Sequence, residues 1–447
     1  MITSTRRAGV RAVSSAGLAL ALPAFLASGC APAGRTGGAP VPAGIRESVG
    51  YLTAAYHVSA ADAMRRLRLA AAGDGLIRRL SAALPDEYAG ARIDQRDGGV
   101  LVVAATRPDR ARRVVRGLEH HDEIKVVPAA YSLRDLARVR DRAAALTGRD
   151  AYAQVNEASN RVEVWTAHRA RVTRALTGLG PVVVRAEPEE TLTECSVFEC
   201  DPPMRAGISI GIGKKSGRRL DYCSSAFNLK DDDGGLYTTT AGHCFTELER
   251  KGKKPATIVS AKDHAIIGDI KNDRSVYANT RAPRLDYAFA RVTDPGTWFP
   301  SGHSKNALYF KCSTEPQPKK CKTRNEDPTF KITGIKPYSG MIKGDVVCMA
   351  GASPRTGDVK PGTRCGEITD KPAGGIQTNI CAKSGDSGSP LFDQSTHKAY
   401  GIESAVEGDD TGPCVKAEDQ KTYYTPLSEA LAAAHAAKGR TYELITD

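Results

Sequence analysis

Three short motifs could together perform nucleophilic catalysis. The run GDSGSP surrounds Ser387 with glycines, which let backbone N–H groups turn toward one point without obstructing a substrate. The run TAGHC places His243 directly after a strand-like apolar run, and LDYAFA places Asp286 at the start of another. A serine nucleophile needs a base for its proton and donors for a developing oxyanion. A histidine oriented by a buried aspartate is such a base.

Each motif alone has a plainer interpretation. The serine motif could be a surface turn, and His243 is one of 9 histidines. Asp286 enters an apolar alternating run, where a buried carboxylate is costly without a partner. Because the three motifs occur together in the order His, Asp, Ser, we predict that His243, Asp286 and Ser387 form a catalytic triad.

Further runs make a family recognisable. Over residues 207–431 the chain resembles the chymotrypsin-like bacterial proteases of the streptogrisin and α-lytic protease group. The resemblance rests on TAGHC, on QTNIC leading into the serine motif, on CSSAFN at 223–228, and on YYTPL at 423–427. It implies an all-β fold of two six-stranded antiparallel barrels with a C-terminal helix and the triad in the cleft between them.

The resemblance also implies a role for each residue. Ser387 would attack the scissile carbonyl, His243 would carry its proton to the leaving amine, and Asp286 would orient the imidazole. The N–H groups of Gly385 and Ser387 would form the oxyanion hole. The strand residues Ser404, Ala405 and Val406 would pair with extended substrate and wall the primary pocket. This is a serine endopeptidase acting on proteins or peptides through an acyl-enzyme, with no metal or organic cofactor.

Cysteines support export. Of 11 cysteines, all but Cys30 lie between Cys195 and Cys414, which indicates an oxidising compartment. Zinc is the competing interpretation, but no Cys-x-x-Cys pair or histidine cluster is present. The resemblance implies the disulfides Cys223–Cys244, Cys348–Cys365 and Cys381–Cys414, and the remaining cysteines would give Cys312–Cys321 and Cys195–Cys200.

Two positions depart from the family's pattern. Ser389 replaces a second glycine, and a serine is small enough to fit. Met349 stands where relatives place an arginine that neutralises the aspartate before the nucleophile. Asp386 therefore needs another cation, for which Arg355 and a newly cut N-terminal amine are both candidates.

Few residues predict which side chain is preferred before the scissile bond. Val406 replaces a pocket-wall glycine of many relatives, which narrows the pocket toward small or medium apolar side chains. Glu403 and Glu407 lie close by and would instead favour a basic residue before the cut. We expect the small or medium apolar preference.

The chain changes texture along its length. Residues 207–447 show short apolar runs broken by Gly, Pro and Asp, as in an all-β barrel, and end in an Ala-rich helix at Leu427–Lys438. Residues 49–190 predict an α+β domain, and residues 191–206 a processing and linker region. Within that domain, a helical pattern capped by Ser59 precedes two related units, each with two strands, an Arg-rich helix and a valine run. By resemblance this domain is a propeptide, which helps a slow-folding β protein to fold and inhibits it.

Residues 1–30 predict a signal peptide. Arg6, Arg7 and Arg11 precede a short apolar stretch, and LASGC resembles a bacterial lipobox with Cys30 lipidated. An ordinary cleaved signal and a twin-arginine signal are the alternatives. Residues 31–48 are rich in Ala, Pro and Gly and predict a flexible tether. We expect a bacterial protein that is extracellular or at the cell surface, with membrane anchoring through Cys30 before processing.

The net charge by itself excludes few classes of function. The formal net charge is +12, but no nucleic-acid motif or basic run interleaved with aromatics accompanies it, so we expect no nucleic-acid partner. The principal alternative to an enzyme is a catalytically silent binding protein on the same fold, which usually lacks a triad member.

Overall fold

The computed structural model describes residues 41–148, 151–186, 204–261, 263–300, 306–309, 326–352, 362–408, 414, 416 and 418–446. The predictions for Cys30, for Cys195–Cys200 and for Cys312–Cys321 lie outside the described residues. Residues 40–447 form one compact unit. Within the described ranges, no helix has the length and apolar character needed to span a membrane.

The N-terminal region contains the helices α1 (Arg46–Tyr56), α2 (Ala60–Ala83), α3 (Pro108–Val115), α4 (Leu133–Thr147) and α5 (Arg169–Ala175). Ser59 caps α2 by accepting a hydrogen bond from the Asp62 N–H at 3.1 Å. Ser132 caps α4 in the same way through the Asp135 N–H. Sequence patterns predicted α2, α3 and α5, whereas α1 and α4 had no prediction.

Two small sheets in this region share one topology. The strands are β1 (Tyr88–Asp94), β2 (Val100–Ala105), β3 (Ile124–Pro128), β4 (Tyr152–Asn156), β5 (Arg161–Thr166) and β6 (Val182–Ala186). β1 and β4 pair antiparallel with the strand that follows each, and β3 and β6 then join in parallel. A parallel return needs a crossover, which α3 and α5 supply. The two units therefore repeat each other structurally.

The first large sheet belongs to the region after residue 204. Its strands are β7 (Ser209–Gly213), β8 (Arg219–Ser224), β9 (Asn228–Asp231), β10 (Leu236–Thr240), β11 (Thr257–Ser260), β12 (Ile266–Asp269), β13 (Val276–Arg281), β14 (Arg284–Val292) and the late β24 (Tyr442–Leu444). Its hydrogen-bonded path runs open from β24 to β8. The end of β8 bonds outside this sheet, because the N–H of Ser224 donates to the carbonyl of Ser387 at 2.7 Å.

The second large sheet closes into a barrel. It comprises β17 (Gly334–Ile335), β18 (Val346–Gly351), β19 (Gly362–Asp370), β20 (Ile376–Thr378), β21 (Pro390–Asp393), β22 (Lys398–Val406) and β23 (Thr422–Pro426). Pairing of β22 with both β21 and β23 closes a six-stranded antiparallel ring, with β17 added in parallel at β22. A short hairpin, β15 (Ala307–Tyr309) and β16 (Glu326–Lys331), precedes it. The predicted double-barrel fold is confirmed, although only the second barrel has a closed path among the described residues.

A shared core joins the two large sheets. Phe289 of β14 and Phe392 of β21 belong to one buried cluster, together with Leu427 and Ala430 of the last helix, α8 (Leu427–Lys438). The remaining helices are α6 (His243–Arg250) and α7 (Pro295–Trp298). The helix α8 has its predicted bounds and ends at Gly439, whose φ of 63° suits a residue without a Cβ. This shared packing fixes the position of the two sheets relative to each other.

The N-terminal region docks on the second barrel. The Gln154 amide donates to the Lys371 carbonyl at 2.6 Å and accepts the Gly374 N–H at 2.7 Å, so it mimics a strand partner. The N–H of Ile93 donates to the carbonyl of Lys343 at 2.8 Å. These contacts involve loops and strand ends of the second barrel.

Candidate active site

His243 is the first residue of α6, just after β10. A Cβ on the preceding Gly242 would collide with the carbonyl of Ala278, so only glycine allows this close passage. The neighbouring Cys244 forms a disulfide with Cys223 of β8. The histidine is therefore held at the strand end by a close backbone contact before it and a covalent link after it.

Asp286 lies in β14 and is saturated with donors. Its Oδ1 accepts the backbone N–H of His243 at 2.7 Å, and its Oδ2 lies 2.7 Å from Nδ1 of the same histidine. The Ser404 hydroxyl donates to Oδ2 at 2.8 Å, and the N–H of Asp286 itself donates to the Thr425 hydroxyl. Since a buried carboxylate is stable only when its oxygens are hydrogen-bonded, this set stabilises Asp286 in its buried position and fixes its orientation.

Ser387 completes the chain of contacts, with its Oγ 2.9 Å from Nε2 of His243. Its loop is clamped by Ser224, whose hydroxyl donates to the Gly385 carbonyl at 2.7 Å. Gly385 and Gly388 have φ values of 98° and 87°, which L side chains rarely adopt. A Cβ on Gly388 would also collide with the Thr240 hydroxyl. The glycines predicted from the motif thus have a geometric reason.

The hydrogen bonds of the triad allow a proton to pass from Ser387 to His243. With the proton of the imidazole on Nδ1, that N–H donates to Asp286 and leaves Nε2 to accept the hydroxyl proton of Ser387. The side chains of His243 and Asp286 are 3% and 1% exposed, so water competes little with these hydrogen bonds. Ser387 has an exposure of 0% in the full-length chain.

The predicted substrate-binding residues lie on β22 beside the nucleophile loop. Ser404 contacts Asp286, and Ala405 and Val406 pair with β23. All three are buried in the full-length chain. The three sequence-predicted groups, triad, oxyanion glycine and pocket wall, therefore lie together.

Arg284 is a residue of this site that sequence reasoning missed. Its side chain is fully buried two residues before Asp286, donates to the Ser404 hydroxyl at 3.3 Å and lies over the ring of Tyr423. Burial lowers the pKa of its guanidinium to about 10. Period-two spacing from Asp286 in a strand was the available signal, since residues i and i+2 share a face.

Arg364 is the cation that neutralises Asp386. Its Nη2 lies 2.7 Å from Oδ1 of Asp386, and its Nη1 donates to the Cys381 carbonyl at 2.9 Å. Arg364 faces Met349 directly across the β18–β19 ladder, so the charge lacking at position 349 is supplied by the opposite strand. The two candidates proposed from sequence omitted this residue, and Arg355 lies outside the described residues. A Cβ on Gly351 would collide with this ion pair.

Three disulfides brace the site. Besides Cys223–Cys244, the structure contains Cys348–Cys365, which joins β18 to β19 at directly opposed positions, and Cys381–Cys414 after β20. Cys223, His243 and Cys244 also lie close enough together to hold a metal ion. Because both sulfurs are consumed in a disulfide, they cannot act as thiolate ligands.

No family model matches the sequence, and a search of curated proteins finds no match. Among solved structures, Thermobifida fusca Protease A is similar at 19% identity and a TM-score of 0.34, over 55% of this chain and 100% of that one. Nocardiopsis Protease is similar at 20% identity and 0.33, over 55% and 100%. The alpha-lytic protease homolog N4 is similar at 18% identity and 0.34, over 54% and 99%. With its closed six-stranded antiparallel barrel beside an open antiparallel sheet, the chain has a double-barrel fold of the chymotrypsin type.

Proposed function

We propose that the protein is a serine endopeptidase in which Ser387, His243 and Asp286 hydrolyse peptide bonds through an acyl-enzyme. The observation that carries this proposal is the unbroken contact from Asp286 Oδ2 through the imidazole to Ser387 Oγ, at 2.7 and 2.9 Å. Ser387 attacks the scissile carbonyl as His243 takes its proton, and His243 returns that proton to the leaving amine. Water then attacks the acyl-enzyme with His243 again acting as the base, and the acid is released from Ser387.

The oxyanion would be held by the N–H groups of Gly385 and Ser387. The N–H groups of Asp386 and Gly388 alternate along the loop with those two and donate instead to the carbonyls of Lys383 and Glu403. This pattern supports the assignment of the other two N–H groups to the oxyanion. The positive φ of Gly385 turns the loop as this role requires. Loss of one such donor raises the barrier by roughly 3 kcal/mol.

The enzyme would be made as a zymogen whose propeptide is residues 49–190. Two observations support this: the N-terminal region packs on the second barrel, and His243, Ser387 and Val406 are all buried in the uncleaved chain. Because Ser387 is 0% exposed in the full-length chain, we expect activity only after cleavage within residues 191–206 separates this region from the protease.

Labelling with a fluorophosphonate probe tests the catalytic proposal. We expect the processed protein to be labelled and to cleave casein, and the Ser387→Ala variant to do neither. A processed protein with intact disulfides that is not labelled at Ser387 would instead be a silent binding protein on this fold.

Refolding tests the propeptide. Residues 207–447 are refolded with and without residues 45–190 added as a separate chain, and the yield of labelled protein is compared. We expect a higher yield with the added segment, since β folds with distant contacts fold slowly. Equal yields would contradict the role.

Export and anchoring form the last part of the proposal. The three disulfides support an oxidising compartment. Mass spectrometry of membrane and medium fractions would report the Cys30 lipid, the cut site and the disulfides together. We expect a lipidated N-terminal fragment in the membrane fraction and the protease in the medium.

A further inference from the structure

Two carboxylates near the predicted pocket differ completely in their surroundings. Glu407 lies at the surface, where Lys421 donates to its Oε1 at 2.7 Å and the Tyr423 hydroxyl to its Oε2 at 2.8 Å. These partners lower the pKa of Glu407, although burial opposes them. Glu407 therefore has a complete set of partners.

Glu403 is fully buried, and neither of its carboxylate oxygens has a hydrogen-bond partner among the described residues. Its backbone is tied to the nucleophile loop: its N–H donates to the Ser389 carbonyl at 2.8 Å, and its carbonyl accepts the Gly388 N–H at 3.0 Å. An unpartnered buried carboxylate is unfavourable for folding, so its retention beside a nucleophile indicates a ligand that completes it.

Two guanidiniums act on this carboxylate from nearby, but neither is hydrogen-bonded to it. The charged groups acting on it include the carboxylates of Asp386 and Asp286 and the guanidiniums of Arg364 and Arg284. Arg364 is already bonded to Asp386 and to the Cys381 carbonyl. Burial first, and then the two aspartates, raise the pKa of Glu403 well above its ordinary value. With Glu403 ionised, three carboxylates face two guanidiniums, so one further positive charge would balance these five groups.

The surrounding surface is apolar. Ala382, Val406 and Tyr424 belong to one buried cluster, and Tyr424 faces Glu403 across the β22–β23 ladder. The Tyr424 hydroxyl bonds to the Met349 sulfur at 3.3 Å. Glu403 is thus an acidic group among apolar walls, next to the segment that carries Ser387.

We propose that Glu403 determines specificity by receiving the lysine or arginine side chain of the residue that precedes the scissile bond. This inference rests on the proposed endopeptidase activity. The apolar walls would pack against the aliphatic stem, and the ammonium or guanidinium would donate to the two oxygens of Glu403. The apolar preference expected from Val406 alone is replaced by an apolar-walled pocket with an acidic end.

The test uses the naturally processed enzyme and peptide substrates that differ only at that residue: Lys, Arg, Ala, Leu, Gln and Glu. We expect kcat/KM for Lys and Arg to exceed that for Leu by ~100-fold. In Glu403→Gln the ratio of Lys to Leu should fall by a similar factor. The matched control Glu407→Gln, whose carboxylate is exposed and paired, should keep the wild-type ratio.

A binding measurement does not depend on turnover. Butylguanidinium should slow fluorophosphonate labelling of wild type and of Glu407→Gln, whereas butanol should not. In Glu403→Gln the protection should disappear. If that variant does not fold, the wild-type substrate profile and the butylguanidinium protection still decide the matter.

The outcomes separate the two proposals. Absence of both labelling and cleavage sinks the endopeptidase and leaves this inference without a basis. Labelled enzyme that prefers Leu, Ala, Gln or Glu, or whose Lys-to-Leu ratio is unchanged in Glu403→Gln, overturns the role of Glu403 alone.

Discussion

Ser387 lies between two buried acidic regions that are neutralised in different ways. On the cleft side, Asp286 accepts from His243 twice and from Ser404, so its oxygens are satisfied. On the interior side, Asp386 and Glu403 lie near the guanidinium of Arg364, which is bonded to Asp386.

The difference in hydrogen bonding indicates a different function for each region. A carboxylate with all its hydrogen bonds made can only orient its partner, which suits a group that must hold an imidazole still. A buried carboxylate without hydrogen bonds is stabilised when a cation binds to it, which suits recognition of a ligand. Four predictions test this contrast.

The largest effect is expected on the cleft side. Asp286→Asn replaces an acceptor by an amide and favours the wrong imidazole tautomer. We expect kcat/KM to fall by about 10³–10⁴-fold, the range typical for loss of this residue in a serine triad. Peptide hydrolysis by the processed variant measures it, and a loss below tenfold would show that Asp286 does not orient His243.

The second effect concerns the interior pair. Arg364→Met leaves Asp386 buried without its cation, so the free energy of unfolding should fall by about 3–5 kcal/mol. Because positions 349 and 364 face each other across the ladder, the double variant Met349→Arg, Arg364→Met should recover most of that loss. Urea unfolding of full-length chains carrying Ser387→Ala provides the measurement. A double variant no more stable than Arg364→Met would contradict the cross-strand exchange.

The third effect is a pH dependence from Glu403. Its pKa is raised by folding, so its contribution to stability is full below about pH 4.5 and is lost as pH rises through the folded pKa. The free energy of unfolding of the Ser387→Ala chain should therefore fall with pH by up to about 1.4 kcal/mol per unit. Adding Glu403→Gln should flatten this slope, while adding Glu407→Gln should not. Equal slopes in all three chains would place the titration elsewhere.

The smallest effect is expected from Ser404→Ala. Asp286 loses one donor but keeps both contacts with His243, so the barrier should rise by about 1 kcal/mol, or about fivefold in kcat/KM. Ser216→Ala, which removes an exposed hydroxyl in the turn between β7 and β8, is the matched control and should change nothing. A loss as large as that of Asp286→Asn would mean that Ser404 fixes the aspartate by itself.

Much of the architecture could be predicted because its signals are local. The cap at Ser59 located the start of α2 but not its end, period-two apolar runs located strands such as β2, β5 and β10, and Gly439 located the end of α8. The helices α1 and α4 were missed, since each buries only three residues. Tertiary packing of a narrow apolar face, which no local rule measures, stabilises both.

The sequence by itself determined which side chains could do chemistry: the motifs nominate His243, Asp286 and Ser387, and the spacing of glycines dictates how the nucleophile loop can turn. Only the tertiary structure decided which charges meet. Whether Arg364 reaches Asp386 depends on strand register, and whether Glu403 or Glu407 lacks partners depends on burial. Both are properties of residues distant in sequence, because a carboxylate's free energy is set by the dielectric and the donors that folding places around it.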